Sequence, residues 1–229
     1  MMQRLRFLFF SCSAFSYLML AVFLFSGPVQ ASKIPPILKK VEEKYKKAKT
    51  VKAKFHQVNH LVAYDRKKKS SGELFIKRPN RVKWVTKDPD QNLFVSNGEK
   101  FWFYTPPFDE DSRGQVIIRD SNKVQSQLMN QLLMGSFEFE NDSVEVIQYR
   151  KDAFILKPKK GTAATVEKAW IFLSKKDQFI HKVVLEHYPI EKGKKGNWSE
   201  ISLDAIELGV ALDSDLFEFE VPPKTDVMR

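Results

Sequence analysis

The side chains able to do chemistry in this chain are few and scattered. Four histidines, His56, His60, His181 and His187, fall two by two on stretches with strand-like alternation, and no cysteine or third clustered histidine completes a metal set. They read as histidines on strand surfaces. The acidic residues Asp109, Glu110, Asp111, Asp213 and Asp215 lie in loop-like segments. The sequence has no Gly-x-Ser-x-Gly elbow, no His-Glu-x-x-His and no phosphate-cradling glycine loop, so it reads as a non-enzyme without cofactor or metal. What remains points to binding. Arg78 precedes Pro79 and Asn80 between two apolar runs, Leu74, Phe75 and Ile76 on one side and Val82, Trp84 and Val85 on the other. Pro79 fixes its own φ and holds Arg78 extended, while Asn80 tolerates the dihedrals of a turn. Arg78 is therefore expected as the last strand residue before a hairpin turn, at the rim of a sheet. There it is either a solvated strand-end arginine or a charge aimed at something.

The elements around that hairpin are legible from periodicity. Pro35 and Pro36 suit a helix start, and Ile34, Leu38, Val41, Tyr45 and Ala48 recur every three or four residues, which predicts an amphipathic helix over 35–49. From Val51 the period becomes two. Strands follow at 74–76, 82–85 and 93–95, then the turn pair Asn97-Gly98, then 101–104. Further strand-like runs lie at 144–149, 153–156, 166–173, 179–188, 199–208 and 216–221. About eleven strands at hairpin spacing with few helices make a mainly β, antiparallel, single-domain fold. Several strands are apolar on both faces: Phe101 and Phe103 point one way, Trp102 and Tyr104 the other. Either a second layer covers that face, or it lines an apolar space. Residues 121–135 carry Val124, Leu128 and Leu132 on one helical face with Met129 and Leu133 beside it. That pattern fits a short helix serving either as a lid over the sheet or as part of the core.

Arg4 and Arg6 precede an apolar stretch over 7–25, and Val29-Gln30-Ala31 closes it with small residues. This predicts a secretory signal peptide over 1–31, cleaved after Ala31, in preference to an uncleaved anchor. Cys12, the one cysteine, lies inside that segment, so residues 32–229 must fold without disulfides. The formal charge is +10, and loss of Arg4 and Arg6 leaves +8. Such a surface suits weak contact with anionic membranes. Export argues against nucleic acid as the partner. The Lys67-Lys68-Lys69 run is expected in a solvated loop.

Taken in order, Phe55-x-Gln57, then Gly72-Glu-Leu-Phe-Ile-Lys-Arg78-Pro79-Asn80 and Trp84, then Val95-Ser-Asn-Gly98, Phe101-Trp-Phe-Tyr104-x-Pro106 and the ending Phe217-Glu-Phe-Glu-Val-Pro222-Pro223 form a pattern. It resembles the LolA family of periplasmic outer-membrane lipoprotein carriers. The resemblance implies an incomplete, half-open antiparallel β-barrel closed by helices around an apolar cavity. It implies acylated lipoproteins as cargo, an inner-membrane lipoprotein-releasing ABC transporter as donor and an outer-membrane receptor of the LolB kind as acceptor. The carrier itself would be a periplasmic monomer. It also implies that Arg78, with Pro79, serves as a latch to the lid and in cargo transfer, and that Trp84 faces the cavity. Leu74, Ile76, Val82, Trp84, Phe101, Phe103, Leu128 and Leu132 are the expected lining. The segment 121–134 departs from the family in lacking a proline and in its glutamine content. The alternative function is a periplasmic domain that senses lipids or lipoproteins and regulates a membrane partner.

Overall fold

Alternation with period two is the dominant signal in this sequence, and the chain answers it with strands. The structure, a computed structural model, describes residues 34–120, 139, 144–161, 166–175 and 179–229. The predicted signal peptide and the segment 121–135 with Leu128 and Leu132 lie outside the described residues.

One α-helix, α1 (Pro36–Lys47), precedes the strands among the described residues. Its prolines sit where a helix has no N–H to satisfy, and Lys44, Lys46 and Lys47 in its last turn complement the helix dipole. Leu38, Val41 and Tyr45 form its buried stripe. Then come β1 (Thr50–Leu61), β2 (Arg66–Lys77), β3 (Arg81–Asp88), β4 (Asn92–Asn97), β5 (Lys100–Thr105), β6 (Gly114–Asp120), β7 (Val144–Arg150), β8 (Ala153–Pro158), β9 (Val166–Leu173), β10 (Ile180–His187), β11 (Trp198–Leu208) and β12 (Thr225–Met228). They form one open sheet in the order β12-β6-β5-β4-β3-β2-β1-β11-β10-β9-β8-β7. Every pairing is antiparallel except β12 with β6. No helix among the described residues is long and apolar enough to cross a membrane.

Two expectations are corrected within a sheet to which the described residues contribute twelve strands, where about eleven were expected. The run 216–221 is not a strand: a single 3₁₀ turn (Asp215–Phe217) and irregular chain lead to β12. Its alternation is real, but it serves packing without a ladder, and Pro222 and Pro223 supply no N–H to donate. Lys67, Lys68 and Lys69 are not in a loop. They extend β2, paired with His60, Asn59 and Val58 across a long β1–β2 hairpin.

The core lies on one face of the sheet. Leu38, Val41 and Tyr45 of α1 share a single buried cluster with Val51, Phe55, Ile76 and Val82 at one side of the sheet order and with Phe154, Leu156 and Ile171 at the other. Strands so far apart in the order can share a core only if the sheet curls around the helix, which makes it a half-barrel. Each fully buried large side chain contributes about 1.5–3 kcal/mol. The opposite face at β4–β6 is apolar for a different reason. Val95, Trp102 and Val116 form a second cluster there, with Leu93, Tyr104 and Ile118 beside it. Phe219 covers it, 5.3 Å from the Tyr104 ring and 6.3 Å from Trp102. The two-faced aromatic run of β5 is thus covered on the Trp102 and Tyr104 side by the C-terminal segment, while Phe103 on the other side stays 40% exposed. That segment is pinned by Asn97 Nδ2 donating to Glu218 Oε2 (3.1 Å) and by an Arg113–Asp226 ion pair at 2.6 Å.

Candidate functional site

Between β2 and β3 the loop is Arg78-Pro79-Asn80, closed by the pair Lys77–Arg81. The strand therefore ends one residue before Arg78. Asn80 takes the left-handed φ of 59° that its side chain tolerates. Ser96, fully buried, ties this turn to the next: its Oγ donates to Asn80 O (3.1 Å) and accepts from Gly98 N–H (3.3 Å). The Arg78 N–H donates to Lys49 O at 2.8 Å. Counting in twos from Leu74 and Ile76 puts the Arg78 side chain on the core face. Its Cζ lies 6.0 Å from the Tyr45 ring centre near the end of α1. Nε and Nη2 are both enclosed and make no hydrogen bond among the described residues. Burial pushes the Arg78 guanidinium below its ordinary range, with Tyr45 opposing the shift. Two donors of a charged group that are denied both water and a hydrogen-bond acceptor are held there at a cost.

Past the helix, the core face opens. One cross-strand row runs Ala53, Leu74, Trp84, Phe94, Phe103 over β1 to β5. Cover falls along that row. Ala53 and Leu74 are buried, Trp84 and Phe94 half-buried, and Phe103 is 40% exposed. Trp84 leans on Phe55, ring centres 4.3 Å apart. That contact depends on Gly72, where a Cβ would stand 1.8 Å from Val85 O and 2.8 Å from the Phe55 ring. Glycine here lets β3 come close to the bulged end of β2. The result is an open cavity of about 440 Å³ whose apolar wall is Trp84, Phe94, Phe103, Leu185 and Ile201. Polar groups, among them Gln57, Asn59, Ser70 and Ser199, complete its lining.

The expected lining residues are thus placed at different depths. Trp84 and Phe103 line the cavity. Phe101 shares their face, 5.7 Å from Phe94 ring to ring, but is not on the wall. Leu74, Ile76 and Val82 are buried in the core cluster with α1 and do not border the open space. The alternation that identifies a face does not say how far across the sheet the helix reaches. Phe94, Leu185 and Ile201 were not singled out from the sequence, although each is an apolar residue on a predicted strand. Pairing with Trp84 is what selects Phe94. Of the histidines, His56 is exposed but His60 is not a surface group: its side chain is 13% exposed and its ring stacks on Trp198 at 3.3 Å. No cluster of three metal-ligating side chains occurs among the described residues.

Residues 46–220 match the family model described as "Outer membrane lipoprotein carrier protein LolA". The outer-membrane lipoprotein carrier protein of Pseudomonas aeruginosa PAO1 is 30% identical over 187 residues, covering 80% of this chain and 83% of the relative. That of Azotobacter vinelandii is 27% identical over 219 residues, covering 94% and 98%. Among solved structures, a LolA superfamily protein from Nitrosomonas europaea aligns with 80% of this chain and 96% of its own at 11% identity and a TM-score of 0.41.

Proposed function

The chain belongs to the LolA family of outer-membrane lipoprotein carrier proteins, and on that premise we propose that it is a periplasmic shuttle for lipoproteins. It shelters their acyl chains after release by an inner-membrane ABC transporter and passes them to an outer-membrane receptor of the LolB kind. The observation that carries this reading is the uncovered wall of Trp84, Phe94 and Phe103, continuous with the core yet open to a ligand. A buried methylene contributes about 0.8 kcal/mol, so a free acyl chain in water costs on the order of 10 kcal/mol. A carrier must hide that surface and still let go. Arg78 supplies the second requirement. With Nε and Nη2 enclosed and without an acceptor among the described residues where α1 ends, it is poised to donate charge-assisted hydrogen bonds to carbonyls of the segment that closes the cavity, including the helix predicted over 121–135 with Leu128 and Leu132. Closure then competes with cargo and lowers net affinity. Pro79 holds the arginine's direction.

Recovery of the protein from periplasm, followed by mass spectrometry of what remains bound, tests the reading. Acylated lipoproteins in stoichiometric amount are expected. Recovery of unacylated proteins alone would sink it. In a transfer assay, Arg78→Leu is expected to load cargo normally and deliver it at least tenfold more slowly (about 1.4 kcal/mol of barrier). Delivery at the wild-type rate would reduce Arg78 to a rim residue.

A further inference from the structure

The cavity has an ordered polar wall opposite its aromatic one. Along the core face each strand changes character at a common level. On β1, Val51, Ala53 and Phe55 give way to Gln57 and Asn59. The change repeats at Ser70 on β2, Thr86 on β3, Asn92 on β4 and Ser199 on β11. A rim that merely meets water needs no internal order. This one has it. Gln57 Nε2 donates to Asn59 Oδ1 at 2.8 Å, and Ser199 Oγ donates to the same oxygen at 2.6 Å. Ser199 is itself buried at 8% exposure, so the pair is anchored in the sheet. The carbonyl end of Asn59 is occupied from two sides. Its Nδ2 hydrogens have no partner among the described residues, and the nitrogen is not enclosed by protein. Lys68 and Asp90, also on the lining, pair with each other at 2.5 Å and leave little net charge there.

A fixed, neutral amide donor beside an aromatic wall suits a carbonyl oxygen attached to a hydrocarbon chain. A free carboxylate would call for an unpaired cation. We propose that Asn59, held by Gln57 and Ser199, binds the acyl carbonyl of the ligand, an ester or amide, at the level where the hydrocarbon leaves the Trp84–Phe94–Phe103 wall. This rests on the carrier reading and adds to it a chemical preference: carbonyl-bearing acyl chains over plain alkyl chains.

The test compares a diacylglycerol with the dialkyl ether of equal chain length, each displacing a fluorescent apolar probe from the purified protein. The ester is expected to bind about five- to tenfold more tightly, the worth of one hydrogen bond. Asn59→Asp keeps the oxygens that accept from Gln57 and Ser199 but has no donor, so it should erase the ester preference while leaving the ether's affinity unchanged. Asn59→Ala should do the same, and thermal melts of both variants report whether the fold survives. Equal affinity for the two lipids in the wild type, or a preference that persists in both variants, overturns the proposal and leaves the carrier reading standing. Failure of both lipids to displace the probe overturns both.

Discussion

The core face keeps one alternation across the sheet, yet its β1–β3 part and its β4–β5 part have opposite fates. At one end Val51, Ile76 and Val82 are buried with Leu38, Val41 and Tyr45 of α1. At the other, Phe94 and Phe103 continue the apolar surface, and no described residue buries them fully. The difference does not lie in side-chain type. It lies in whether α1 reaches that level, and its twelve residues give about 18 Å of cover at 1.5 Å per residue. The covered end is therefore where stability resides, and the open end is where apolar surface is left for a ligand. Substitutions at the two ends should separate these properties.

The largest effect is expected under the helix. Leu38 is fully buried, and Leu38→Ala removes its packing and leaves a cavity, which costs about 3 kcal/mol. Denaturant unfolding should show a lower midpoint with an unchanged slope. A loss below 0.5 kcal/mol would mean that α1 is not the cover it looks to be. Next comes the junction between the two ends. Gly72→Ala sets a methyl against the Val85 carbonyl and the Phe55 ring, and about 2 kcal/mol is expected from the forced displacement. Because Phe55 supports Trp84, ligand affinity should fall along with stability. Loss of either property without the other would uncouple the junction.

How much of this was readable beforehand follows the same division. Trp84's expected place toward the cavity rests on the family resemblance, and period-two alternation gives the face of each residue on β3 and β5. It carries no information about depth, so Leu74, Ile76 and Val82 looked like the same kind of residue as Trp84. The helix was legible from Leu38, Val41 and Tyr45, but its reach over the sheet depends on the pairing of β1 with β11, two segments some 150 positions apart in sequence. Local pattern also misled at 216–221, where Phe217 and Phe219 alternate with Glu218 and Glu220 as a strand would. The Phe219 ring packs on the second face of β4–β6 instead, and the choice is made by Trp102 and Tyr104, far away in the chain. The polar triad of Gln57, Asn59 and Ser199 was invisible for the same reason, since Asn59 and Ser199 meet only through the β1–β11 register.

Arg78 sits at the helix-covered end but is expected to behave against its surroundings. Its enclosed Nε and Nη2 donate to nothing among the described residues, so replacing the side chain with a shorter apolar one removes an unmet desolvation cost. Arg78→Leu is expected to raise stability by about 1–2 kcal/mol, while the transfer assay shows slower delivery. This pairing of gain and loss is the signature of a group retained for function at the expense of the fold. A destabilised Arg78→Leu would mean that the guanidinium holds α1 in place through its contact with Tyr45.

The smallest change in stability is expected at Phe103, and it sharpens the comparison most. The ring is 40% exposed, borders the cavity and lies on β5 between Phe94 and Ile117. With 40% of its surface still in water, the ring gives the fold less than a fully covered side chain does, so Phe103→Ser should cost only about 1 kcal/mol of unfolding free energy. An acyl chain laid against Trp84 and Phe94 would cover the part that remains exposed, and loss of that contact should weaken binding of a fluorescent fatty-acyl probe by roughly tenfold, about 1.4 kcal/mol. The two measurements on one variant discriminate sharply. If Phe103→Ser melted like Leu38→Ala, the ring would belong to the core and the open end would be smaller than drawn. If it melted like the wild type and bound the probe equally well, the ligand would have to lie elsewhere on the face, toward Leu185 and Ile201 on β10 and β11.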